Sequence, residues 1–154
     1  MSVAVDARVP DFTLASTGAK EVRLKDLLGS ALVLYFYPRD NTPGCTLEGQ
    51  QFAALNTRFK KAGVTVFGVS RDSLASHEKF RDKMGYPFAL LSDEDERVSK
   101  LFDVIREKNM YGRKVLGIER STFLIDSRGV LRREWRKVKV EGHALEVLEA
   151  AQAL

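Results

Sequence analysis

One sulfur atom sets the chemistry open to this sequence. Cys45 is the only cysteine among 154 residues. A thiol reacts as its thiolate, and a free cysteine ionises only near pH ~8.5, so a useful one needs surroundings that favour the anion. The stretch Tyr37-Pro-Arg-Asp-Asn-Thr-Pro-Gly-Cys-Thr-Leu-Glu supplies candidates for them. Thr42 offers an N-cap hydroxyl and Pro43 suits the first helical position, which puts Cys45 in the first turn of a helix. Unpaired backbone N–H groups and the positive end of the helix dipole gather there, and both favour negative charge. Gly44 lets another molecule come close to the backbone. A plainer reading stands beside this one. A lone cysteine is commonly a small core hydrophobe, Thr42 is then only a cap, and Pro38 only ends a strand. Residue types and spacing leave both readings open.

A thiol at a helix start needs a strand to deliver the chain to it. Ala31-Leu-Val-Leu-Tyr-Phe-Tyr is continuously apolar and rich in strand formers, as a central strand covered on both faces would be. Pro38 ends it, and the helix then runs from Pro43 to about Lys61, with Phe52, Leu55 and Phe59 as its apolar stripe and Gly63 as its stop. Upstream, Asp11–Ala15 and Glu21–Leu24 alternate around Ser16-Thr-Gly and predict an N-terminal hairpin. Downstream, the pattern predicts a buried strand at Val64–Val69, a helix at Ser73–Met84 closed by Gly85, a short strand at Phe88–Leu91 and a short helix at Asp95–Phe102. A hairpin follows, Ser121–Asp126 and Val130–Trp135 about Ser127-Arg-Gly, and then a helix from Gly142 to Leu154. Asn109–Lys114 reads as a mobile surface loop without chemistry. Strands alternating with helices, plus a late hairpin, make an α/β layer structure with a mixed central sheet, which suits a thioredoxin-like fold. The length fits one domain, residues 1–154.

Other chemistries find less support. One cysteine and two widely separated histidines, His77 and His143, offer no metal-ligand spacing, so neither metal nor cofactor is expected. The run Asp93-Glu-Asp-Glu reads as an acid-rich helix start. Nothing pairs a histidine with Cys45, and Cys45-Thr-Leu-Glu lacks the second cysteine of a disulfide reductase. The basic cluster Arg132–Lys139 alternates as a charged edge strand would, which argues against nucleic-acid binding. The formal charge of +4 speaks for solubility. The first residues show no signal-peptide pattern and no apolar run approaches ~20 residues, so the expected location is the cytoplasm, away from membranes.

The stretch around Cys45 resembles the active-site signature of peroxiredoxins, and its Thr-Pro-Gly-Cys-Thr version is similar to the peroxiredoxin Q, or bacterioferritin comigratory protein, subfamily. Gly117-Ile-Glu-Arg-Ser-Thr-Phe-Leu-Ile-Asp resembles the same family's arginine motif, and Val66-Phe-Gly-Val-Ser, His77-Glu-Lys-Phe and Leu90-Leu-Ser-Asp are similar to that family too, so the likeness spans nearly the whole chain. It implies that Cys45 is the peroxidatic thiolate, that Thr42 hydrogen bonds the peroxide, that Pro38 shields the site, and that Arg120 stabilises the thiolate and orients the substrate. Arginine suits that role because it stays charged and carries several donors in a rigid fork.

The pattern departs from many relatives in one respect. The places where they carry a second, resolving cysteine correspond to Gln50 and Arg81 here. The implied reaction is therefore a one-cysteine peroxidase cycle on hydrogen peroxide and organic hydroperoxides, through a sulfenic acid resolved by an external thiol. Thioredoxin, glutaredoxin with glutathione, or another small thiol would be the reductant. The alternative is a non-enzymatic redox sensor signalling through oxidised Cys45. A monomer is expected, although Phe12, Phe88 and Tyr111 could instead line an interface.

Overall fold

The computed structural model describes residues 2–154, the side chain of Met110 apart. The chain runs β1 (Thr13–Ser16), β2 (Lys20–Arg23), α1 (Leu24–Leu27), β3 (Ala31–Phe36), α2 (Pro43–Lys61), β4 (Val64–Ser70) and α3 (Leu74–Met84). It continues through β5 (Leu90–Ser92), α4 (Arg97–Leu101), β6 (Ile105–Met110), β7 (Arg113–Ile118), β8 (Ser121–Ile125), β9 (Leu131–Trp135) and α5 (His143–Gln152). Seven strands form one twisted sheet in the order β2-β1-β5-β4-β3-β8-β9. β3, β4 and β5 pair in parallel, joined by α2 and α3, while β1 and β8 attach antiparallel on either side. This is the mixed sheet with an N-terminal hairpin that the pattern of elements predicts.

All six residues of β3 are buried because both faces of the strand are covered. Alternation divides them, together with Tyr37 just beyond the strand, between two faces. Ala31, Val33, Tyr35 and Tyr37 face a core with Phe52, Phe59, Leu90, Val147 and Leu148, supplied largely by α2 and α5. Leu32, Leu34 and Phe36 face a second core with Phe12, Phe102, Val104, Phe123 and Leu131 on the other side. Each large apolar side chain so buried contributes roughly 1.5–3 kcal/mol, and two such layers hold β3 immobile at the centre.

Several local features differ from expectation, each for a physical reason. Asn109–Lys114 is no loop: it joins β6 to β7 in a two-stranded ribbon paired from Ile105↔Ile118 to Met110↔Arg113. Its two-residue turn places both Tyr111 (φ 53°) and Gly112 (φ 79°) in the left-handed region, the geometry that matches strand twist. The helical turn α1 was not anticipated, and β5 and α4 start two residues later than predicted. The carboxylate of buried Asp93 accepts hydrogen bonds from the amides of Val98 and Ser99, so the acidic run does serve a helix start. Phe12 and Phe88 are core residues, not interface candidates; Tyr111 alone of that group is exposed. β9 is an edge strand carrying Arg132, Arg133 and Glu134, as its charge pattern predicts.

Gly49 of α2 has no room for a side chain. A Cβ there would lie 2.3 Å from the Tyr86 hydroxyl, which donates to the Thr46 carbonyl. Gly49→Ala should therefore lower stability by about 1–2 kcal/mol, even though alanine gains about 1 kcal/mol of helix propensity, and a reduced midpoint in chemical denaturation would record it.

Candidate active site

β3 ends at Phe36, and a tight loop over Tyr37–Asn41 carries the chain to α2. Thr42 occupies the N-cap position with extended dihedrals and Pro43 follows it. Cys45 thus lies in the first turn of a 19-residue helix, as predicted, and is only 3% exposed. The Thr42 hydroxyl makes no cap hydrogen bond, contrary to expectation. It donates instead to the Arg39 carbonyl at 2.9 Å and closes the loop, leaving the amides of Gly44 and Cys45 without a side-chain cap among the described residues. Pro38 is half-buried in the same loop.

Arg120 arrives from 75 residues away because of strand register. β8 runs antiparallel to β3 with Phe36 opposite Ser121, so the residue before β8 stands beside the chain leaving β3. Its carbonyl accepts from Val138 N, and the neighbouring Glu119 N donates to Val104 O, which fixes the approach. Arg120 Nη2 then donates to Cys45 Sγ at 3.4 Å. Gly44 eases its approach: a Cβ there would sit 3.2 Å from Nη2 and press the guanidinium aside by a few tenths of an ångström. The close visitor at this glycine is the protein's own guanidinium.

Glu48 completes the group, and sequence reasoning passed over it. Its Oε1 accepts from Arg120 Nη1 at 2.5 Å, and its side chain is 1% exposed. Burial pushes this carboxyl up to about 7, against the opposing pull of Arg120. Cys45, Glu48 and Phe52 share the buried face of α2, so the signal available was a carboxylate three residues after the cysteine and four before a core phenylalanine.

Among the described residues neither histidine hydrogen bonds to Cys45. His143 pairs through Nε2 with Thr122 Oγ1 at 2.7 Å, and burial, helped by the charge of Arg120, pushes it down to about 4. His77 bonds Asp40 Oδ2 through Nδ1 and the Leu91 carbonyl through Nε2. Asp40 also accepts from the hydroxyls of Tyr37 and Ser76, and its amide donates to Asp72. Asp40, Asp72 and His77 thus bring possible ligand atoms within 4.8 Å of one another, a cluster that spacing alone did not reveal. Its hydrogen bonds tie the loop before Thr42 to β4 and α3. A broad cleft of about 1000 Å³ lies at the other end of the sheet, around Gly29, Arg58 and Asp126, and contains none of the groups around the sulfur.

Comparison with known proteins places this geometry. The AhpC/TSA family matches residues 5–134. Peroxiredoxin Bcp of Xanthomonas campestris pv. campestris is 54% identical over 143 residues, 93% of this chain and 89% of that protein. The chain is a peroxiredoxin of the AhpC/TSA family. Among solved structures, a cysteine-to-serine mutant of Xylella fastidiosa PrxQ superposes with a TM-score of 0.94 at 44% identity, covering 99% of this chain and 98% of that one. The Xanthomonas campestris bacterioferritin comigratory protein, in a structure concerned with its alkyl peroxide reduction activity, gives 0.89 at 53% identity, covering 92% and 90%. The peroxiredoxin Q resemblance and the thioredoxin-like fold are both borne out. No helix among the described residues is long and apolar enough to cross a membrane.

Two measurements test the charges of this peroxiredoxin. Arg120→Gln leaves Glu48 buried without its partner, at a cost of about 3–5 kcal/mol once the carboxylate ionises. A carboxyl raised on folding contributes stability below its unfolded value that is lost as pH rises, so the denaturation midpoint of the variant should fall more above pH 7 than below it. His143 is displaced the other way. Its neutral form contributes about 3 kcal/mol above pH 6.5, lost as pH falls towards 4, and its NMR titration should show a midpoint near 4.

Proposed function

We propose that this peroxiredoxin is a thiol peroxidase that reduces hydrogen peroxide and organic hydroperoxides through Cys45 alone. The observation that carries the reading is the Arg120 guanidinium on Cys45 Sγ, in the first turn of α2. The alkyl peroxide reduction reported for the Xanthomonas campestris relative supports the substrate class. Peroxide attack moves negative charge from sulfur to the departing oxygen. Donors fixed along that path favour the transition state over the ground state. In this reading Arg120, already on the sulfur, would also meet the charge developing on the departing oxygen. The Thr42 hydroxyl would turn from Arg39 towards the peroxide, and Pro38 would keep water from the sulfur.

The attack leaves a sulfenic acid on Cys45 and releases water or an alcohol. With no second cysteine in the sequence, an external thiol condenses with the sulfenic acid and a second thiol frees Cys45 by exchange. Gln50, where some relatives carry a resolving cysteine, is an exposed residue of α2. Arg81, the other such place, lies on α3 and donates to the Phe88 carbonyl. Thioredoxin, glutaredoxin with glutathione, and small thiols are the candidate donors.

The test is peroxide consumption by wild type and Cys45→Ser with each donor. Wild type should turn over many equivalents with at least one donor, and Cys45→Ser none. Oxidised wild type quenched with limiting thiol should carry a mixed disulfide at Cys45 by mass spectrometry. Consumption that stops at one equivalent with every donor would favour a redox sensor over a peroxidase.

A further inference from the structure

Glu48 takes no part in the steps above, yet it occupies the most expensive position in the site. Its Oε1 is held by Arg120, while Oε2 is buried with no hydrogen-bond partner among the described residues. A buried carboxylate oxygen without a donor is costly, whereas the same oxygen bearing a proton is not. Arg120 meanwhile faces Cys45 Sγ through its other terminal nitrogen. One guanidinium therefore serves two groups that can each be anionic. The titratable groups packed around Glu48 from the other elements are Tyr35 of β3 and Tyr86 after α3; the charge of Glu48 helps push both upward. They bring no positive charge. With Cys45 as thiolate and Glu48 ionised, the buried group would be net negative with one oxygen unsatisfied. A proton on Oε2 relieves both problems, in keeping with a carboxyl pushed up to about 7.

We propose that Glu48 is a proton reservoir coupled to the oxidation state of Cys45, holding a proton while the sulfur is a thiolate and releasing it when the sulfur is oxidised. The proposal rests on the peroxidase reading of Cys45. The thiolate attacks one peroxide oxygen, an S–O bond forms and the O–O bond breaks. Sulfur loses two electrons to become a sulfenic acid, and the other oxygen leaves as hydroxide or alkoxide. Negative charge has then left the sulfur, and Arg120 is balanced by Glu48 alone. The carboxyl ionises, and its proton offsets the one taken up by the leaving oxygen. Reduction reverses the account: two thiols give a disulfide, water and the thiolate, and the proton set free returns to Glu48. Glu48 acts here through Arg120 and is a positioning residue with a titrating charge.

The experiment compares wild type with Glu48→Gln, which keeps an acceptor oxygen for Arg120 but cannot ionise. Each is oxidised by one equivalent of hydrogen peroxide in weak buffer with a pH indicator. Below about pH 7 the wild type should take up far less than one proton per sulfur oxidised, rising to one above it. Glu48→Gln should take up one throughout the range in which Cys45 is a thiolate. Difference infrared spectra of the wild type should lose a protonated-carboxyl band on oxidation, and the variant should lack that band. Uptake of a full proton by wild type at every pH, or no carboxyl change, overturns the proposal. Should wild type fail to consume peroxide at all, the peroxidase reading itself would fall, and the two failures are distinguishable.

Discussion

Cys45 and Glu48, one turn apart on the same buried face of α2, lean on a single guanidinium. Neither group has another cation in hydrogen-bond contact among the described residues, so the two share one positive charge. Much of the surrounding structure can be understood as what is needed to bury such a group. α2 presents a small residue at Gly44, where a side chain would crowd the guanidinium. The aromatic pile of Tyr35, Phe52 and Phe88 must exclude water beneath it, with the Tyr35 and Phe52 rings stacked 4.6 Å apart. The loop from Tyr37 to Thr42 must be held without help from the sulfur, and the hydrogen bonds of Asp40, Asp72 and His77 do that.

How much of this was legible in the sequence depended on how local the cause was. β3 could be read because burial on both faces leaves an unbroken apolar run. The start of α2 could be read because Thr42-Pro43 is a local stop-and-start signal, and the helix extends to Lys61 as predicted. The ribbon of β6 and β7 could not. Four consecutive residues of β7, Arg113–Leu116, are exposed, so neither face imposes a hydrophobic period, and Tyr111-Gly112 is a weaker turn signal than Asn-Gly. The direction of the Thr42 hydroxyl is a rotamer choice made by the Arg39 carbonyl nearby, which composition cannot express.

The site divides along the same line. The first-turn position of Cys45 was legible from its local context, but its reactive role, like that of Arg120, came only through resemblance, because the contact between them is created by tertiary pairing. Glu48 was hidden for a different reason. Glutamate on a helix usually means a solvated face, and it becomes informative only when weighed against Phe52 and Phe59 on the same stripe. The cluster around His77 was likewise invisible, since Asp40 of the loop after β3 meets Asp72 and His77, just before and within α3, only once β3 and β4 have paired.

The pairing of β3 with β8 runs unbroken from Leu32↔Ile125 to Phe36↔Ser121, whereas the outer pairing of β8 with β9 shifts register between Leu124 and Ile125. Irregularity is thus absorbed at the rim and kept away from the strand that ends at the sulfur's loop. A slip of one residue on the inner side would turn Phe123 and Ile125 out of their core and carry the guanidinium to the wrong face of the sheet in the same movement. The apolar zipper therefore acts as a ruler for the cation. A molecule that has closed it correctly has its reactive centre assembled, and one that has not loses the fold and the chemistry together.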